Sequence, residues 1–218
     1  WEPEECWRRE AGVIPPDGMT AWYLPGMAQV RNPWLMRGLI AACERRQVEL
    51  HPQEEVVGVV GSPPLAQGVL LADGNVRVAE RILLAAGAWT DGVLKRLGSD
   101  GAGVHPVRGQ IVLVRLVPPS SHRILIVGKR YIVPRGDGHY LIGSTEEPEA
   151  GFTKANTAGA VAELLDFATR LLPPLHQAEL VKCWSGLRPG SRDGWPIIGP
   201  LPGWENVWMA AGHFRAGV

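Results

Sequence analysis

The sequence predicts an α+β fold (mixed α/β) that is rich in antiparallel strands. Three observations carry this reading. A turn at Asp73-Gly74 joins the apolar stretches 69–71 and 76–78, which is a hairpin signal. The continuous apolar run 82–86 ends at Gly87 and leads into a helical stretch, as a buried strand followed by a helix would. Residues 157–172 place Val161, Leu164, Leu165, Ala168, Leu171 and Leu172 on one helical face, and Pro173-Pro174 end that helix.

The other elements follow in chain order. Residues 1–30 are rich in Pro and Gly and read as irregular, with a short strand at 21–24. From 33 to 46, Leu35, Met36, Leu39, Ile40 and Cys43 keep helical spacing, with Asn32 as N-cap and Pro33 at the first helical position. Short strands are expected at 48–50 and 56–60 and a helix at 90–97, followed by a linker at 98–103. Strands are then expected at 110–117, 123–127, 130–134 and 140–143, the last two joined by the turn Gly136-Asp137-Gly138. Two more, at 178–186 and 207–211, complete the chain, the latter ending at Gly212.

At 218 residues and 45% hydrophobic, the chain can bury a sizeable core, so disorder is excluded as a general state. Lys plus Arg equals Asp plus Glu, 22 of each, which leaves no basic footprint for nucleic acid or a membrane surface. No apolar run reaches the ~18 residues of a membrane-spanning helix. Cys6, Cys43 and Cys183 are too few and too dispersed for a disulfide framework, and no CxxC pair occurs. A reducing, cytoplasmic setting is expected. The six histidines are scattered, so no metal site is expected. There is no initiator methionine, and both ends read as cuts.

The chemistry-bearing residues concentrate in the last third. CWSGLRPGSRDGWPIIGP and WMAAGHFRAGV put Arg188 and Arg215 on glycine-bracketed loops. A guanidinium fork matches a carboxylate in bidentate fashion, a contact worth about 1.5–3 kcal/mol. An arginine bonded to its own loop carbonyls remains the competing reading of Arg188. Tyr131 lies in a strand, where a tyrosine packs into a core more often than it binds a ligand. The small residues of AAGAW, after the run 82–86, would let a ligand approach the backbone closely, although an ordinary strand-to-helix turn gives the same pattern. GxGxxG, Walker A, HExxH and GxSxG motifs are all absent.

AAGAW, HPVRGQ, YIVPRGDGHYLIGST, WSGLRPGSRDGWPIIGP and AAGHFRAGV occur in that order. This set resembles the D-amino-acid oxidase (DAO) family of flavoproteins, in particular the ThiO-type glycine oxidases, over nearly the whole chain. The resemblance implies an antiparallel-rich substrate-binding sheet with flanking helices, at 1–33 and 103–200. It also implies an incomplete, Rossmann-like FAD-binding portion at 34–102 and 201–218. It assigns FAD as cofactor, with Val56, Ala86, Gly87 and Trp89 toward its ADP side and Gly212, His213 and Phe214 against the flavin ring. Arg188 would bind the substrate carboxylate, Tyr131 would help through its hydroxyl, and Arg215 would stand at the substrate mouth. Glu146 stands where at least some relatives carry methionine, which implies a more polar pocket wall.

The implied reaction is oxidative deamination of glycine or a similar small amine by hydride transfer to the flavin, with oxygen reduced to peroxide. It needs no side chain as acid or base, and it would supply thiamine biosynthesis. The resemblance further implies that the GxGxxG unit and a C-terminal helix are missing here, so this stretch alone should be inactive and bind FAD weakly or not at all. The expected partner is a small amino-acid substrate, without nucleic acid, membrane or metal, and a homo-oligomer stays open. A D-amino-acid dehydrogenase, the flavin module of a tRNA-modifying enzyme, and a non-catalytic carboxylate-binding domain remain alternatives.

Overall fold

A computed structural model describes residues 3–10 and 12–216. The chain forms α1 (Pro3–Arg9), α2 (Asn32–Arg45), β1 (Val56–Ser62), β2 (Leu65–Leu71), β3 (Val76–Val78), β4 (Ile82–Leu84) and α3 (Thr90–Arg96). It continues with β5 (His105–Arg115), β6 (Leu125–Val127), β7 (Arg130–Pro134), β8 (His139–Gly143) and α4 (Ala158–Leu171). The last elements are β9 (Glu179–Gly190), β10 (Ile197–Pro200) and β11 (Val207–Ala211). The mixed, antiparallel-rich class is as expected.

The chain divides into two compact units, one of residues 1–30, 108–147 and 153–186, the other of 31–107, 148–152 and 187–218. The resemblance implied divisions at 33, 103 and 200.

The first unit is built on a five-stranded sheet in the order β6-β7-β8-β5-β9. Strand alternation sorts its side chains. Val112, Val114, Ile132, Tyr140 and Ile142 face one way and join Leu164, Ala168 and Leu171 of α4 in a single buried cluster. Ile111, Leu113, Tyr131, Val133 and Leu141 lie on the other face and are half-buried. Thr157 caps α4, its hydroxyl accepting from Ala160 N. Each fully buried side chain of Leu size contributes about 1.5–3 kcal/mol, so α4 is held by its apolar stripe. Tyr140 is fully buried. Its hydroxyl accepts from Ser120 N at 2.7 Å and Ser121 N at 3.1 Å.

The second unit has two three-stranded sheets, β1-β2-β3 and β10-β11-β4. The β2–β3 hairpin forms as the sequence predicts, with Gly74 at φ 87° and the Asp73 carboxylate accepting from Asn75 N at 2.9 Å. β4 lies parallel to β11, pairing Ile82 with Val207 and Leu84 with Met209. Ile82, Leu84, Leu94, Val207, Met209 and Ala211 share a buried cluster.

Several expectations need correction. Residues 21–24 and 48–50 are not strands. α1 forms within the stretch read as irregular. The N-cap position of α2 is Arg31 rather than Asn32, with no side-chain capping hydrogen bond, and none of the helix residues is buried despite its apolar spacing. The run 82–86 is a strand only to Leu84, and Leu83 is 63% exposed. β10 was not anticipated. β9 continues past Gly186 to Gly190, so Arg188 sits in a strand and not on a loop. The glycine that looked like punctuation is a close-approach position: a Cβ at Gly190 would come within 2.7 Å of His105 Nε2.

Candidate functional site

In the second unit the adjacent parallel strands β4 and β11 run out at the same end, because Leu84 pairs with Met209. β4 leads to Ala86-Gly87 and β11 to Gly212-His213. Ligands of α/β sheets bind outside the carboxyl ends of parallel strands. Gly87 and Gly212 hold φ of 55° and 73°, a region that disfavours side chains. Nothing lies within 4 Å of where a Cβ on Gly87 would be, so its backbone is open to approach. Trp89 is exposed, and its ring centroid lies 5.7 Å from that of Phe152.

The loop after β11 is tied to the end of β9. Phe214 N donates to Pro189 O at 2.9 Å, and Phe214 takes a left-handed φ of 46°. Its ring serves both arginines that the sequence singled out. The Arg188 guanidinium carbon is 6.0 Å from the ring centroid and that of Arg215 is 5.9 Å. Cations within about 6 Å of an aromatic ring are drawn to it. Arg188 is half-buried and Arg215 exposed, and His213 is half-buried. Ala86, Gly87, Gly212, His213, Phe214, Arg188 and Arg215 thus fall at two strand ends and the loop fastened to β9. Val56 does not join them; it opens β1, in the other sheet, opposite Leu71.

In the first unit Tyr131 and Glu146 gather at one end of the β7–β8 pair. Tyr131 and Gly143 are cross-strand partners. A Cβ on Gly143 would lie 2.5 Å from both Cζ and Oη of Tyr131, so the ring rests on the glycine. Glu146 follows three residues later and accepts from Lys129 Nζ at 2.5 Å.

A buried network lies beside it. Gln110, fully buried, donates through Nε2 to Glu147 Oε1 at 2.8 Å, and its Oε1 accepts from Thr157 N at 2.8 Å. Arg108 forms an ion pair with Glu147, which also accepts from the Thr145 hydroxyl. Burial pushes the Glu147 carboxyl up, but the hydrogen bonds from Thr145, Arg108 and Gln110 outweigh it and hold it below the usual range. Sequence reasoning missed Lys129 and this network, although Arg108 and Gln110 stand in HPVRGQ and Lys129 lies two residues before Tyr131.

Burial raises the Cys183 thiol, which makes it a poor nucleophile. Among the described residues no His, Cys, Asp or Glu cluster could hold a metal, and no helix is long and apolar enough to cross a membrane.

Residues 1–218 match the family model DAO, FAD dependent oxidoreductase, in full. The chain belongs to the DAO family. It is 43% identical over 199 residues to glycine oxidase of Pseudomonas aeruginosa, covering 91% of this chain and 54% of that one. Glycine oxidase of Pseudomonas putida is 41% identical over 207 residues, covering 94% and 56%. The crystal structure of glycine oxidase from Geobacillus kaustophilus superposes with a TM-score of 0.88 at 32% identity, over 99% of this chain and 57% of that one. This DAO-family chain therefore spans little more than half the length of the relatives it matches. Its strand ends suit part of the family's cofactor: two glycines with left-handed backbone, of which Gly87 is open to approach and Gly212 is packed against Ser191, and an aromatic loop with two cations. The GxGxxG turn that cradles a dinucleotide's phosphates does not occur in this sequence.

Proposed function

We propose that this chain is part of an FAD-dependent oxidase of glycine or a similar small amino acid. The observation that carries the reading is the placement of Arg188 and Arg215 about one aromatic ring at the strand-end loop. The half-buried Arg188 is the carboxylate-binding group, fixed in direction by β9 and by Phe214. A partly desolvated guanidinium binds a carboxylate more strongly than an exposed one. Tyr131, held over Gly143, offers its hydroxyl as a further donor. Arg215, exposed beyond Phe214, attracts the anion at the entrance.

Ala86, Gly87 and Trp89 on one strand end, and Gly212, His213 and Phe214 on the other, would hold the flavin nucleotide, with Val56 toward its adenine. When bound, FAD supplies the two-electron oxidation of the Cα–N bond and the return of those electrons to oxygen. The protein's part is orientation and charge, and no side chain need act as general base. The imine product would feed thiamine biosynthesis, as the likeness to ThiO-type glycine oxidases implies.

Replacing Arg188 with Ala in the whole, FAD-loaded protein should lower kcat/KM for glycine roughly 10- to 100-fold, chiefly through KM. Lys in its place should recover only part, since the bidentate fork is lost. An unchanged KM would remove the carboxylate role. Peroxide formed in step with glycine consumption separates an oxidase from a dehydrogenase.

A further inference from the structure

We propose that Lys129 and Glu146 form a charge-paired wall beside Tyr131 that admits glycine and rejects amines carrying an apolar substituent. The inference rests on the reading of Tyr131 as a substrate-binding residue.

The geometry begins with strand alternation. Arg130 turns toward α4, where it pairs with Glu163 and lies 5.7 Å from the Phe167 ring. Ile132 is buried in the same α4-facing core. Tyr131, between them, therefore points from the opposite face. Tyr131 is the second residue of β7 and its partner Gly143 closes β8, so Lys129, Tyr131, Gly143 and Glu146 converge on one end of the strand pair. Within the ion pair the burial is unequal. The Glu146 side chain is only 17% exposed, whereas that of Lys129 is 77% exposed. The carboxylate is the inner member and the ammonium the outer.

The carboxylate is also unable to retreat. Its two neighbours are fastened from behind: Thr145 Oγ1 accepts from Gln110 N at 2.9 Å, and Glu147 holds Arg108 and the Gln110 amide. An apolar group pressed against this wall would strip water from an ion pair and return no hydrogen bond, which is costly for a half-buried carboxylate. Glycine, which carries no such group, leaves the hydration of the pair intact. Methionine at position 146 would turn the penalty into a favourable contact.

The test uses the whole, FAD-loaded protein and compares glycine with N-ethylglycine and D-alanine. Glu146→Met should raise kcat/KM for the two substituted amines relative to glycine by about tenfold or more, the scale on which pockets discriminate single methylenes. Glu146→Gln, which keeps the shape, should move the ratio the same way by less. Lys129→Met alone leaves the carboxylate uncompensated and should raise KM for every amine. The double variant Lys129→Met/Glu146→Met should behave like Glu146→Met, because the cation then has no charge to balance. Calorimetric binding of glycolate against lactate gives the same comparison without turnover.

A ratio within about twofold of wild type in both Glu146 variants would overturn the wall while leaving the oxidase reading standing. Failure of the wild type to oxidise any of the three amines would sink both.

Discussion

Gln110 uses every hydrogen-bonding group of its side chain inside the protein. Nε2 donates to Glu147 and to the Thr157 hydroxyl, and Oε1 accepts from Thr157 N and Asn156 Nδ2. Saturation is what makes a buried amide tolerable, because each orphaned group would cost about 1–3 kcal/mol. Glu147 stands at the other end of the same network, and its lowered pKa links stability to pH. Its folded-state value lies below the ordinary 4.5, so the contribution is fully present above pH 4.5 and is lost as the pH falls through the folded value. Urea midpoints measured downward from neutral pH should therefore fall more steeply for wild type than for Glu147→Gln. Parallel curves would show that the network does not favour the ionised carboxylate. None of this was legible in the sequence, where Gln110 and Glu147 stand 37 positions apart. HPVRGQ marked the place, but only pairing of β5 with the segment after β8 gave it a partner.

The β7–β8 pair shows what register adds to a strand signal. Both strands and the Gly136–Gly138 turn were expected from composition, because hairpins are local and their alternation is written in consecutive residues. That Tyr131 lies opposite Gly143 depends on register. Gly143→Ala should leave the fold intact and push the Tyr131 ring aside, since the new Cβ would stand 2.5 Å from the far end of that side chain. The expected readout is a several-fold rise in KM for the amine with an unchanged circular dichroism spectrum. An unaltered KM would separate Tyr131 from the substrate. β9 illustrates the opposite case. Its continuation through Gly186, Pro189 and Gly190 runs against the usual meaning of those residues. Close passage of β5, seen in the approach of Gly190 to His105, overrides the local preference.

For the molecule as a whole, two units with separate cores carry the two groups of candidate residues. α2 keeps its apolar spacing yet exposes Met36 and Leu39, and the β10-β11-β4 sheet exposes Leu83 and Ile198. Surfaces of this kind are binding faces in larger assemblies of chain. Residues 1–218 alone, purified, should show no stoichiometric flavin absorbance, because the strand ends lack a phosphate-cradling turn to act with them. An equimolar yellow complex would overturn this.

By itself the sequence determined the family, the mixed class, the helix at α4 and the hairpins, and it singled out the arginines, tyrosine and glycines proposed for the site. These rest on local periodicity and on short ordered motifs, which survive without knowledge of long-range partners. Only the tertiary structure decided that β4 and β11 end together and that one phenylalanine serves two guanidiniums. It alone showed that a glutamate and a lysine meet beside Tyr131. Such meetings depend on parallel pairing and register between distant segments, and a linear pattern carries no term for them.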